Sequence, residues 1–369
     1  MLLKAFILVF GISLSAISFA DSADKPEWVE PRFGPEFTFS CTPTLSNKIL
    51  MQALNERCFI HLVENQPVGQ KFVVDSENGY FVSPNGWSFL VGADMGVSEV
   101  KMTPNTVEYF KHYESDIQDA IFASAATEGM YPFLFLGGGH INMSWDVFEN
   151  NLRLLRNFLV DFYNHNELAM GVFGYDTHNA LPIQLKFEYK KLIQQLIEEI
   201  DSKKIATVDG VVFKLAAHLE LMIKDVFYQK WRGSVLYRPF RFHSIAFRDL
   251  LDPKQSGRAR IEIRSVRPQA SMNVFIRQIS LLRNRLRYLY ELKENLQVEP
   301  KVKIQTIDVA HHYLNPPVDP QDALRAFYQY VRESGERWSD HRDYLWPNWI
   351  QTGEVAKFEQ SLNLCAESL

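Results

Sequence analysis

The chain is 369 residues long, with 46% hydrophobic, 13% aromatic and 22% charged residues. This is globular composition, and it excludes a disordered tail, a collagen-like fibre and a coiled-coil rod. Lys+Arg 39 against Asp+Glu 44 leaves a net charge of −5, which argues against general nucleic-acid binding.

Lys4 precedes an apolar run from Ala5 to Ile12, and Ser18-Phe19-Ala20 offers small residues at the −3 and −1 positions of a signal-peptidase site. Residues 1–20 therefore read as a signal peptide, and the expected product is a periplasmic or secreted protein starting at Asp21. The apolar run is short for a membrane span, and no later stretch reaches the roughly 18 apolar residues that crossing needs. No stable span is expected after cleavage. Export permits a disulfide, and among Cys41, Cys58 and Cys365 the nearest pair in sequence is Cys41 with Cys58. Their spacings do not suit a zinc cluster.

In chain order, Pro26, Pro31 and Pro35 mark an extended opening that runs into a strand near 33–40. Further strands are expected near 70–75, 87–92, 97–103, 132–136, 140–145, 241–248 and 259–265. Asn105 with Glu108 reads as a capping box, opening a helix with Val107, Phe110, Ile117 and Ile121 on one face. A second helix carries Phe148, Leu152, Leu155 and Leu159, and others are expected over about 186–203 and 207–230. From Ser271, a core helix aligns Phe275, Ile279, Leu282, Leu286 and Leu289. Pro316, Pro317 and Pro320 then break the chain before a last helical stretch, where Trp338, Tyr344, Trp346 and Trp349 predict a segment packed onto the domain.

Strands follow strands here without a βαβ rhythm. The expected class is α+β, with a largely antiparallel sheet backed by helices on one face. Gly137-Gly138-Gly139 has neither the spacing of a dinucleotide-binding turn nor the Lys-Ser/Thr of a P-loop. No GxSxG elbow supports Ser-His-Asp hydrolysis. His311 and His312 have no acidic partner in register, and His178 beside Asp176 reads as a structural loop residue, with a substrate-side role as the alternative.

Side chains alternate across a strand, so residues two apart share a face. In the strand at 33–39, Phe33, Phe37 and Phe39 oppose Glu36 and Thr38. Val100 and Met102 oppose Glu99, Lys101 and Thr103; Ile141, Met143 and Trp145 oppose His140, Asn142 and Ser144. Ile261 and Ile263 oppose Arg260, Glu262 and Arg264. Each strand alone fits a solvated antiparallel sheet. Together, the outward carboxylates and histidine suit a divalent cation, and the arginines beside them suit phosphate oxygens. Residues 231–267 add eight arginines and Lys254 against Asp249, Asp252 and Glu262, a basic stretch in an acidic chain. An ordinary surface patch and RNA binding are alternatives, but the stretch lacks an RNP-type aromatic signature, and a polyanionic small ligand fits better.

FGPE around Glu36, GGGHINMSW around His140 and RARIEIRSVRPQAS around Glu262 resemble the catalytic fold of glutamine synthetase. They resemble equally its wider superfamily of carboxylate–amine ligases, which includes glutamate–cysteine ligases and amidoligases. The segment from Arg260 to Asn273 is the most specific part of the resemblance. About 50 residues are covered, in the family order, while 150–235 and 300–369 match nothing comparable. The resemblance implies one glutamine synthetase-like catalytic domain over 21–369, with about 300–369 unassigned. It implies an ATP-dependent ligase that phosphorylates a small-molecule or peptide carboxylate and lets an amine displace the phosphate. Glu36, His140 and Glu262 would hold one Mg²⁺ or Mn²⁺, and Glu99 would belong to a second. Arg264 would contact phosphate, with Arg260, Arg258, Arg248 and Arg241 as further candidates, and Asn142 stands where glutamine synthetases have a second histidine.

Two departures stand out. Thr38 occupies the position of a second carboxylate, which weakens the second metal site, and no acidic flap for ammonium is recognisable. Outside the cytoplasm ATP is scarce, so the resemblance also implies a nucleotide-rich destination or another phosphoryl donor. A non-catalytic nucleotide- or ligand-binding protein on the same scaffold is the alternative. Carbohydrate binding through the scattered Trp28, Trp87, Trp145, Trp231, Trp338, Trp346 and Trp349 ranks below both.

Overall fold

The computed structural model describes residues 26–40, 48–54, 56, 73–74, 80–83, 85–94, 97–132, 138–169, 187–215, 245–248, 260–266, 268–303, 318–345 and 347–362. The expected leader, the three cysteines, residues 133–136 of the strand expected near 132–136, His178, His311, His312, Trp231, Trp346, Arg241 and Arg258 lie outside them.

Among the described residues, eight strands form one sheet: β1 (Phe33–Phe39), β2 (Val73–Val74), β3 (Phe81–Val82), β4 (Ser88–Asp94), β5 (Val97–Met102), β6 (Ile141–Ser144), β7 (Ile245–Arg248) and β8 (Arg260–Ile263). Their order is β2-β3-β4-β5-β1-β6-β8-β7, and every pairing is antiparallel. The helices are α1 (48–54), α2 (Val107–His112), α3 (Glu114–Ile117), α4 (Ser124–Thr127), α5 (Leu152–Asn164), α6 (Phe187–Asp201), α7 (208–215), α8 (Met272–Glu291), α9 (Pro320–Glu333), α10 (Pro347–Gln351) and α11 (Glu354–Ser361). A π-helical turn, Gln118–Ala123, joins α3 to α4. The class is α+β. No described helix is long and apolar enough to cross a membrane.

β1 is the centre of the sheet, between β5 and β6. Its alternation explains the layers. Phe37 packs edge-on against Phe122 of the π-helical turn at 4.9 Å and against Phe275 of α8 at 5.4 Å, and Phe275 meets Phe110 of α2 at 5.1 Å. Helices therefore cover the face made by Phe33, Phe37, Ile141, Met143, Ile261 and Ile263, all fully buried. Burying a Phe, Ile or Met contributes about 1.5–3 kcal/mol each, so this layer anchors the sheet. Gly34 is required by a close approach, because a Cβ there would lie 2.9 Å from the Met102 carbonyl oxygen.

α8 is the backbone of the helical layer. Ser271 caps it by accepting from the Val274 N–H at 3.3 Å, and the Met272 N–H is taken by the Gln118 side chain at 2.9 Å. Its five heptad-like residues, from Phe275 to Leu289, are all buried. α5 is buried nearly all round, and its polar residues serve the chain after α8. Asn157 accepts from Leu296 N–H at 3.0 Å, and Asn164 accepts from Glu299 N–H at 2.7 Å. The C-terminal helices dock on this layer: Arg285 of α8 bonds Glu333 of α9 at 2.8 Å, and Trp338 packs on Phe327, Tyr328 and Phe358.

One boundary differs from the expectation. The cap of α2 is Thr106, which accepts from Tyr109 N–H at 3.3 Å. Asn105 is held elsewhere: its backbone exchanges hydrogen bonds with Phe33 at 2.7 and 2.8 Å, so it extends the β1–β5 side of the sheet, and Glu108 pairs with Lys111.

Candidate metal centre

The face of the sheet away from the helices carries the polar residues, and the register brings them together. Glu36 of β1 lies opposite Lys101 of β5, and Thr38 opposite Glu99. On the other side the Glu36 N–H donates to the carbonyl of His140 at 2.9 Å, just ahead of β6. Asn142 of β6 lies opposite Glu262 of β8, and Ser144 opposite Arg260. A β-strand places alternate side chains on one face, so four strands contribute one patch.

These groups are buried, unlike the side chains of a solvated sheet. Glu36 is 7% exposed, Glu99 5%, His140 5%, Glu262 3% and Arg264 5%. Charges are removed from water only when paired or when they hold an ion. Here the pairing is dense. His140 Nδ1 stands 3.2 Å from Glu36 Oε2 and 3.1 Å from Glu262 Oε1. Asn142 donates to Glu36 Oε1 at 3.0 Å and accepts from Arg260 Nε at 2.8 Å. Arg264 donates to Glu262, and Lys101 Nζ stands 2.7 Å from Glu99 Oε2 and 4.0 Å from Glu36 Oε1.

The electrostatics split the carboxylates. Burial raises Glu36, but the hydrogen bond and charge of His140, helped by Lys101, outweigh it and hold the group at about 2. Glu99 moves the other way. Burial first, then the Glu36 carboxylate, push it up to about 7 against the pull of Lys101. Negative charge is therefore in surplus around Glu99.

Ligand atoms of Glu36, Glu99 and His140 all lie within 4.8 Å of one another. Oxygen and nitrogen donors around a common ion at about 2.1–2.5 Å are separated by at most about twice that distance, so the spacing fits one divalent cation. Carboxylate oxygens with one imidazole suit Mg²⁺ or Mn²⁺, the latter accepting nitrogen more readily. Glu262 joins the group through the same His140 nitrogen. Glu99, which the resemblance implied for a second ion, falls in the same cluster as Glu36 and His140.

Of the arginines, Arg264 and Arg260 are in the patch, the first on Glu262 and the second on Asn142. Arg248 lies opposite Arg260 in the β7–β8 register. Lys101 is a further member of the patch, and its i+2 spacing from Glu99 puts it on this face. Thr38 Oγ1 donates to the Gly138 carbonyl at 3.5 Å. Among the described tryptophans, Trp87, Trp145, Trp338 and Trp349 are core residues, and Trp28 is half-buried edge-on to Tyr290. A separate cleft of about 480 Å³ lies on the helical side, lined by Lys111, Glu114, Asn273, Arg277 and Glu336 among others, with Asn273 bonded to Glu114 and Arg277 paired to Asp340.

No family model matches this chain, and no curated protein matches it.

Proposed function

We propose that the protein is an ATP-dependent carboxylate–amine ligase, exported through its N-terminal leader, that joins a small-molecule or peptide carboxylate to an amine. The observation that carries this reading is the buried Glu36–Glu99–His140–Glu262 cluster on the polar face of an antiparallel sheet, with Arg264 and Arg260 beside it. Glu36, Glu99, His140 and Glu262 would hold Mg²⁺ or Mn²⁺. That ion, when bound, supplies neutralisation of oxygen charge on a transferred phosphoryl group. The protein's own part is positioning. Three strands with fixed register hold the carboxylates, His140 is clamped between two of them, and Asn142 relays Arg260 to Glu36. Such a frame has little freedom to lose when a polyphosphate binds, and arginine supplies forked donors for its oxygens.

Phosphate or ADP release that requires ATP, a divalent cation, a carboxylate and an amine together is the expected result. Turnover indifferent to the carboxylate and amine would refute the ligase reading. Thr38 favours a second reading, a nucleotide- or ligand-binding protein without turnover. It stands opposite Glu99, where a second carboxylate would strengthen cation binding. Nucleotide that raises the melting temperature with no product under any substrate pair would select this alternative.

A further inference from the structure

The cluster is bounded by cations on both sides. Across the sheet, Lys101 on β5 faces Glu36 on β1, His140 follows at the head of β6, and Arg264 follows β8. Arg264 is committed to Glu262. Lys101 is committed to Glu99 at 2.7 Å and reaches to 4.0 Å from Glu36. Its ammonium therefore lies between the two glutamates that, with His140, have the spacing of a cation site.

We propose that Lys101 is a built-in counter-cation of this site: its ammonium holds Glu99 and limits the cluster to a single divalent ion. The inference rests on the metal-centre reading above and adds its regulation. Three carboxylates stand with three fixed cations: Lys101 and Arg264 contact Glu99 and Glu262 directly, and Arg260 reaches Glu36 through Asn142. One divalent ion therefore already makes the cluster net positive. A second would have to bind beside Lys101 and share Glu99 with it, and like charges a few ångströms apart in a buried setting repel strongly. The strand opposite offers no relief, because the residue facing Glu99 is Thr38, whose hydroxyl is turned to the Gly138 carbonyl. The lysine is suited to this role. It is a compact charge on a flexible stem, and its side chain is 43% exposed, so it can stay hydrated while its tip contacts the glutamates.

The test is Mn²⁺ binding by calorimetry, giving affinity and stoichiometry, on the full-length protein and on Lys101→Met and Lys101→Arg. Met keeps the stem and removes the charge; Arg keeps the charge. Wild type should bind one ion. Lys101→Met should bind it at least about tenfold tighter, about 1.4 kcal/mol, or gain a second ion. Lys101→Arg should stay at one ion without that gain. Cooperative melts of all three report folding, and the Arg variant keeps the comparison meaningful if Met weakens the fold. Binding by the Met variant alone would overturn the proposal, since the wild-type site would then hold no ion. Equal affinity and stoichiometry in all three would overturn the role of Lys101 and leave the metal centre standing. No Mn²⁺ binding in any of them would overturn the metal centre itself.

Discussion

Glu99 carries a proton in the fold up to about pH 7, whereas its ordinary carboxyl value is 4.5. Between those values the folded chain binds a proton that the unfolded chain has released, so this group makes metal-free stability fall as pH rises from about 5 to 7. Glu36 has the opposite sign. Held at about 2, it contributes stability above 4.5 and loses it only as pH drops toward 2. A divalent ion must displace the Glu99 proton, so apparent affinity should rise with pH and level off above about 7. Melting temperatures across this range, in chelator and in Mn²⁺, check both slopes, and Glu99→Gln should flatten the metal-free one. Glu36→Gln, His140→Ala and Glu262→Gln should each remove most of the Mn²⁺-induced rise, with the triple variant little worse than any single one, because ligands of one ion act as a unit. Additive, partial losses would point to independent surface carboxylates. All four residues were legible from period-two alternation. Their burial and the shared His140 nitrogen were not, since alternation gives a face but neither the neighbouring strand nor what covers it.

Among the elements, α8 was the most legible. Its start near Ser271 and its apolar spacing both survive in the fold, because a long core helix satisfies local and tertiary preferences at once. The two-residue β3 left no pattern to find, and the α2 cap moved by one residue because Asn105 was recruited to pair with Phe33. The polar interior between helices was also hidden. Arg285, in the middle of the apolar α8 run, donates from Nε to both oxygens of Asp161 at 3.1 and 3.0 Å and from Nη1 to Glu333 at 2.8 Å. Its guanidinium also lies 4.3 Å from the Tyr330 ring centre. His165 completes the group, 2.5 Å from Glu167 and 3.5 Å from Asp161, and burial is outweighed there by these carboxylates, which hold its pKa above the ordinary value. Arg285→Ala leaves the buried Asp161 with only the 3.5 Å contact to His165, and the expected cost is about 3–5 kcal/mol. Arg285→Lys should recover little of it, since an ammonium cannot reproduce the fork and the ring contact. Urea midpoints of both variants decide this; a loss under about 1 kcal/mol for Arg285→Ala would mean that the network relaxes to water.

At the scale of the whole molecule, alternation and the lack of βαβ spacing gave the α+β class, whereas strand order depends on long-range pairings that no local pattern encodes. The stretch from 300 onward resembled nothing, yet its aromatic residues predicted docking, and the fold explains how. Phe327 and Tyr330 of α9 are buried, Tyr330 sits edge-on to His165 at 4.9 Å, and Arg277 and Asn284 of α8 reach Asp340 and Glu336 beyond α9. These contacts tie the C-terminal helices to the same α5–α8 layer that supports β1 and its glutamate. Removing them would uncover Tyr330's side of the layer and leave Arg285 with one carboxylate partner fewer. A chain ending at Lys303 should therefore lose cooperative unfolding and bind a hydrophobic dye, as cores stripped of apolar cover do. It should also lose the Mn²⁺-induced stabilisation, although every proposed ligand is still present, because the strands carrying them are held in register from the helical side. A cooperative melt within a few degrees of the full chain, with the metal response intact, would show instead that the sheet and its layer stand without the C-terminal helices.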